Sequence, residues 1–551
     1  MNRRKFIKNI SYGGAATITL GGIPVNILAG NAELKKLAAA GDSDNVLIFI
    51  QLHGGNDALN MLIPVSQYNE YFNLRENIAI PEASNDPRRY INLDTSVADD
   101  KQVGLHPDIA NPFKQLYDNG QLAIVQNVGY PDMNLSHFRG RDIAFMGGDA
   151  TSDYNSGWMG RFLDDTYPGY PDDYPSESMP DPLGIELSGS LSLAYHRENG
   201  IPIGLNVGNP QQFYNLISSV GVNPPIAFPD SYAGDELRYI MEFEKQSNQY
   251  AERLRDVYDA GSNSSVEYPS TYDLGAPGSA KNNPLSPQLQ LIARLLAGGI
   301  KTRIFLCRIG GFDTHGNQVE SYHPSYGVHA ALLYHLAEAV RAFYDDLSNL
   351  GIESKVLSMT FTEFGRRAYS NDSLGTDHGT ASPVVLFGSG LNGGIYGTNP
   401  GLGEDDLRHG NLQYNIDYRQ IYTSVVKDWF GASETAMAAT GFDEWVSSRL
   451  PLIKGVTGID EFNHLEKIND LNIFPNPAIS EVNLNFYLVH KGNVTIYIYN
   501  SEGKLIYQKE EYKNFGKNHV IIPLHDMNPG NYFVRIKNSK QIFQGRFIKV
   551  K

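Results

Sequence analysis

The sequence predicts an α/β protein, a mainly parallel sheet flanked by helices, followed by a small all-β sandwich. Apolar, strand-like runs alternate with helical patterns through most of the chain. Several of those runs lead into glycine-flanked acid-and-histidine motifs. The final stretch changes to short alternating strands and reverses its charge.

The elements follow in chain order. Residues 46–52 read Val-Leu-Ile-Phe-Ile-Gln-Leu, a run apolar on both faces and so a buried strand. Residues 122–128 form a second strand. Residues 164–182, rich in Tyr, Pro, Asp and Ser, form a surface insertion, and 261–283 a second loop. Residues 235–258 alternate charge with apolar residues at helical spacing and predict a surface helix. Helical patterns at 288–297 and 330–347 are each followed by an apolar run, 302–309 and 355–361. Residues 383–387 are a further strand and 418–430 a closing helix.

Composition narrows the function. The 551 residues are 41% hydrophobic and 19% charged, as in a globular chain. A net charge of −16 argues against DNA or RNA as partner, since phosphate binding needs basic patches. Cys307 is the single cysteine, so no internal disulfide forms, and its apolar surroundings predict a buried thiol. Beyond the N-terminal stretch no apolar run is long enough to span a bilayer, so an integral membrane protein is not expected.

Both ends predict export. Met1-Asn2-Arg3-Arg4-Lys5 is a basic head, followed by a small, apolar, glycine-rich stretch that makes 1–32 a signal peptide. Arg3-Arg4 followed by Phe6-Ile7-Lys8 resembles a twin-arginine signal; an ordinary secretory signal with a basic head is the alternative. At the other end, 468–551 hold 11 Lys+Arg against 6 Asp+Glu, leaving −21 for the remainder. That shift places a boundary near Glu466, dividing a central domain, 33–466, from a module over 467–551. Alternating runs at 481–487, 493–499, 504–508, 519–523, 532–537 and 544–549 predict a β-sandwich. Ile473-Phe474-Pro475-Asn476-Pro477, Gly530-Asn531-Tyr532-Phe533-Val534 and the basic end at Lys549 and Lys551 resemble the C-terminal sorting domain of the type IX secretion system. The resemblance implies that the outer-membrane type IX machinery is a partner and that the tail is removed. A carbohydrate-binding sandwich is the competing explanation.

The chemistry sits in three motifs: Gly54-Gly55-Asn56-Asp57, Phe312-Asp313-Thr314-His315-Gly316 and Thr376-Asp377-His378-Gly379. Residues just past strand ends gather in one crevice of a parallel sheet. Carboxylates and imidazoles gathered there bind divalent metal.

With Leu135-Ser136-His137-Phe138, Gly157-Trp158-Met159-Gly160-Arg161 and Thr362-Glu363-Phe364-Gly365-Arg366, these motifs resemble the exported bacterial family called domain of unknown function (DUF) 1501. The resemblance covers most of 45–432. That family is similar to the alkaline phosphatase and sulfatase superfamily, which implies an alkaline-phosphatase-like sheet. It also implies two divalent ions (Zn, Ca, Mn or Mg) on a phosphate or sulfate ester, attacked in line by Ser or Thr. Carried over, Asp57 and Glu363 hold one metal near Ser136, the nucleophile, while Asp313, His315 and His378 hold the other. Asp377 enters if Asp377-His378 is the superfamily's Asp-His pair, and His137 is an acid or ligand.

Plainer roles stay open. Asp57 or Ser136 could cap a helix, Asp313 and His315 could simply pair, and Glu363 could pair with Arg366 or Arg367. Two functions therefore compete. One is a secreted hydrolase of small anionic esters or glycan esters. The other is a catalytically silent surface protein that binds glycan or a partner.

Overall fold

The computed structural model describes residues 44–455 apart from 171–172, 190 and 219–249, and residues 471–550 apart from 489–491, 502, 515 and 539–541. It also describes a strand pair, Ala16–Leu20 with Ile23–Ile27. The Arg3-Arg4 pair, most of the expected helix at 235–258 and the boundary near Glu466 lie outside the described residues. The chain divides into two compact units, Met1–Ile453 and Lys454–Lys551.

Nine strands of the first unit form one sheet. They are β1 (Val46–His53), β2 (Leu122–Gly129), β3 (Gly184–Leu187), β4 (Gly204–Asn206), β5 (Ile304–Gly310), β6 (Val356–Phe361), β7 (Ser382–Phe387), β8 (Gly394–Tyr396) and β9 (Ile416–Asp417). The order is β8-β2-β7-β6-β1-β5-β3-β4, with β9 also paired to β2. β1 is central and parallel to both β5 and β6. Only β7 runs against its neighbours, β6 and β2. The sheet is thus mainly parallel, as its strand–helix alternation predicts.

β1 is buried at every residue but its last, which requires cover on both faces. On one face Ile48 and Ile50 join a core with three helices, α1 (Pro107–Asp118), α2 (Ser286–Ala297) and α3 (Val328–Asn349). Within α3 the stripe Leu332, Leu333, Leu336, Val340, Phe343 and Leu347 recurs at helical spacing and supplies much of that cover. On the other face Phe49 stacks on Phe361 with ring centroids 4.2 Å apart and meets Trp158 and Tyr422 edge-on. A fully buried side chain of this kind contributes roughly 1.5–3 kcal/mol. Helix is described over 250–260, and its residues Tyr250, Leu254 and Val257 also join the first core. The part of the expected surface helix that is described is therefore amphipathic, with one buried stripe.

The second unit consists of a three-stranded and a four-stranded sheet, antiparallel throughout. Val482, Leu484, Phe486 and Leu488 alternate inward from one sheet, and Val494, Ile496, Ile498, Val534 and Ile536 from the other. The period of two in the sequence is what buries them together.

Candidate metal centre

Four segments converge at one pole of the sheet. β1 ends at His53, β5 leads into Phe312-Asp313, and β6 leads into Thr362-Glu363. β2 ends at Gly129 and its chain continues to a helix, His137–Met146. Because β7 is antiparallel, its first residue lies at this same pole, so His378, just ahead of it, arrives there too.

Gly54 is where the loops touch. Its amide donates to Glu363 Oε1 at 2.8 Å. Its φ is +124°, and a Cβ would stand 2.2 Å from the Asp313 amide nitrogen, so no side chain fits. Arg366, buried, bolts the loops together. It donates to the carbonyls of Gly54, Gly55, Phe312 and Thr376 and to Asp313 Oδ1, the last at 2.8 Å.

Around these loops stand four imidazoles and three carboxylates. His137 Nδ1 lies 3.0 Å from Glu363 Oε1 and its Nε2 3.3 Å from Asp313 Oδ2. His53 Nδ1 lies 3.3 Å from the same Glu363 oxygen. His378 Nε2 and His315 Nε2 each lie 3.2 Å from Asp313 Oδ1. His315 Nδ1 lies 3.2 Å from Asp377 Oδ1. His137, Asp313 and His378 each offer a ligand atom, all within 4.8 Å of one another. The cleft beside them has a volume of about 410 Å³ and is lined by His53, Gly54, His137, Phe138, Arg141, Arg308, Gly311 and Asp313.

The electrostatics favour charged carboxylates and a neutral His378. Burial pushes the Asp313 carboxyl up, but the hydrogen bond and charge of Arg366, with the charge of His137, outweigh it and bring it down to about 2. Glu363 is likewise held below its ordinary value: burial opposes, while hydrogen bonds from His53 and His137 prevail. Burial lowers His378 despite the nearby Asp313 carboxylate.

His378 carries a further constraint. Its Nδ1 lies 3.0 Å from the Leu135 carbonyl oxygen, which only accepts, so Nδ1 carries the proton. The neutral ring then aims its Nε2 lone pair at Asp313 Oδ1. In the neutral ring that lone pair meets a carboxylate, a repulsion that a divalent cation held between them would relieve. Glu363 adds a second deficit, because its Oε2 is buried with no hydrogen-bond partner among the described residues. Two imidazoles and a carboxylate are a donor set suited to zinc and similar divalent ions.

Residues 235–438 match the family model described as "Protein of unknown function (DUF1501)". Residues 472–550 match the model described as "Secretion system C-terminal sorting domain", which implies handling by a secretion machinery and export to the cell surface or beyond. No curated protein matches the chain. Similar solved structures include latent PorU from Porphyromonas gingivalis, at 16% identity over 14% of this chain, with TM-score 0.13. The match spans only 9% of that PorU chain. Ps i-CgsB in complex with k-i-k-neocarrahexaose is 9% identical over 81% of this chain and 82% of its own, with TM-score 0.33. Alkaline phosphatase from the Antarctic bacterium TAB5 is 10% identical over 73% and 99%, with TM-score 0.27. Among the described residues no helix is long and apolar enough to cross a membrane.

The first unit does not gather every residue expected at the site. Asp57 stands apart: it is buried, with both carboxylate oxygens 2.8 Å from Arg75 Nη1 and Oδ2 also accepting from Gln318 at 2.6 Å. Its charge is already neutralised, so it has no call for a metal. It precedes the short helix Ala58–Met61 but makes no side-chain cap bond. Ser136 is exposed at the N-cap of the helix that starts at His137, and it is not among the residues lining the cleft. Its amide donates to Asn134 Oδ1. Asp377 lies behind His315, held by it and by Asn371, outside the three-residue group. Arg366 pairs with Asp313 rather than with Glu363. His53, Arg141 and Arg308 are the ionisable lining residues that motif reading missed. His53 is the last residue of β1, and Arg141 is one turn beyond His137 on the same helix face.

Proposed function

We propose that this chain is an exported, metal-dependent hydrolase of phosphate or sulfate esters. The orientation of His378 carries the proposal: its ring is fixed by Leu135 so that a lone pair faces Asp313. His137, Asp313 and His378 would hold the ion, with zinc the best match to their donor atoms. A bound divalent ion supplies Lewis acidity toward an ester oxygen and makes water a nucleophile near neutral pH. Glu363 holds His137 and His53 in place while accepting from Gly54, and Asp377 orients His315. Asp57 serves the scaffold through Arg75.

Elemental analysis of the purified chain, beside a screen of aryl phosphates and aryl sulfates with and without added zinc, tests this. Bound metal together with metal-dependent turnover supports it. A chain that binds no divalent ion overturns it. Metal without turnover returns the domain to the silent surface class.

Export is proposed to begin at a twin-arginine signal over 1–32. Replacing Arg3 and Arg4 by Lys should stop a reporter that must fold before transport, and unchanged export would assign the ordinary secretory route. Limited proteolysis is expected to separate the two modules near Lys467; a core resistant across that site would count against the boundary.

A further inference from the structure

The cleft has a second chemical character besides its imidazoles and carboxylates. Phe138 is 74% exposed, more than any other large apolar side chain among the described residues. It lines the cleft directly beside His137. Its ring offers an apolar, π-bearing face beside the polar site. The guanidinium carbon of Arg141 lies 5.9 Å from the Phe138 ring centroid. Arg141 donates through Nε and Nη2 to one oxygen of Asp142, at 3.2 and 3.1 Å.

Arg308 lies on β5 and lines the same cleft. Its backbone N–H donates to Gln288 Oε1 and its carbonyl accepts from Gln288 Nε2. Its guanidinium is half-buried and, among the described residues, makes no hydrogen bond or ion pair. Burial works against its charge, Glu363 favours it, and Arg141 works against it again. Arginine keeps its proton regardless, so the five donors of its fork stay available for an anion.

An anion alone would satisfy Arg308 without explaining Phe138. A sugar ring has an apolar C–H face that stacks on an aromatic ring, and an acidic sugar adds the anion on the same rigid unit. We propose that Phe138, Arg141 and Arg308 form a subsite for a second anionic group and the sugar ring that bears it, so that the substrate is an acidic polysaccharide, sulfated or carboxylated. As a statement about substrate this rests on the hydrolase proposal. The metal group takes the ester to be cleaved, and the arginines take a neighbouring acid group.

Titration calorimetry of the full chain, stripped of metal by chelation, tests the subsite independently of turnover. The probes are dextran sulfate, a polyuronate, neutral dextran and single-stranded DNA. Dextran sulfate or the polyuronate should bind, which also tells sulfate from carboxylate, while neutral dextran and DNA should bind far more weakly. Arg308→Gln removes no hydrogen bond or ion pair among the described residues and should weaken polysaccharide binding about tenfold, the size of one lost charge-assisted contact. Phe138→Ala should weaken the polysaccharide but not free sulfate ion. Lys355→Gln, a charge paired with Asp44, should change nothing. Wild-type binding by the Arg308 and Phe138 variants, an equal loss in the Lys355 variant, or equal affinity for DNA would each overturn the subsite. If the polysaccharide binds as described but no ester is cleaved with any metal, the hydrolase proposal fails and the subsite stands. Cleavage of small esters without polysaccharide binding has the opposite meaning.

Discussion

Glu363 Oε1 sits 3.0 Å from His137 Nδ1, while Oε2 of the same carboxylate is buried without a hydrogen-bond partner among the described residues. A half-satisfied buried carboxylate is costly unless a cation or water completes it. Glu363→Gln keeps the volume and removes the charge that positions His137. Metal affinity, measured by competition with a chromophoric chelator, should fall about 10- to 100-fold, as when a partner of a metal-binding histidine is lost. Unchanged affinity would mean that Glu363 neither touches nor supports the ion.

Metal retention should follow the protonation of His378. A ligand imidazole must be neutral, so protons compete with the ion. Burial, against the pull of Asp313, lowers the His378 value below the ordinary one of about 6.5. Asp313, brought down to about 2, stays ionised well below that. The ion should therefore remain bound as pH falls to about 6.5 and leave only at lower pH. Equilibrium dialysis across that range would show it; loss already above pH 7 would contradict a neutral, buried ligand.

The sheet was legible because its strands are apolar on both faces. The stretch 46–52 has no polar residue before Gln51, and no other element suits that pattern so near a glycine pair. β3, β4, β8 and β9 escaped notice, since two to four residues carry no period. Asp313, His378 and Glu363 were legible through their places at strand ends. The order of the ligands depended on a fact that periodicity does not report. β7 runs backward, so a histidine before a strand reaches the same pole as residues after the others. Asp57 misled because its partner, Arg75, lies outside its motif, 18 residues away and brought close only by the fold. Likewise Arg308 looks like any strand residue until its guanidinium is seen to make no hydrogen bond or ion pair among the described residues.

Asp57→Ala should destabilise the first unit without touching the metal ligands. Removing one partner of a buried ion pair leaves the other charge uncompensated, at a cost of roughly 3–5 kcal/mol. The effect should depend on pH. Burial pushes the Asp57 carboxyl up, yet the charges of Arg75 and His329 and hydrogen bonds from Arg75 and Gln318 leave it below its ordinary value. A depressed carboxylate stabilises the fold above its unfolded value of about 3.9 and loses that contribution as pH falls toward its folded value. Denaturation of wild type and Asp57→Asn should thus differ most near neutral pH and converge in acid. A constant difference would assign the loss to packing.

Ser136 is the remaining candidate for a covalent mechanism; it does not line the cleft, although its neighbours Leu135 and His137 both touch site residues. It starts the helix that carries His137, is exposed, and makes no side-chain cap bond. The cleft is lined from His137 onward, not from Ser136. In-line attack needs the hydroxyl roughly 3 Å from the reacting atom, and small displacements cost heavily. If water is the nucleophile, Ser136→Ala should retain both its metal and its turnover, and products should form without transfer to an added alcohol. A serine nucleophile behaves otherwise: its esterified intermediate partitions between water and alcohol, and its loss abolishes turnover with the metal still bound. His378→Ala separates the two cases from the other side, since it should lose metal and turnover together. Alcohol transfer by the wild type, absent in Ser136→Ala, would restore Ser136 as the nucleophile and require the 135–137 segment to move on substrate binding.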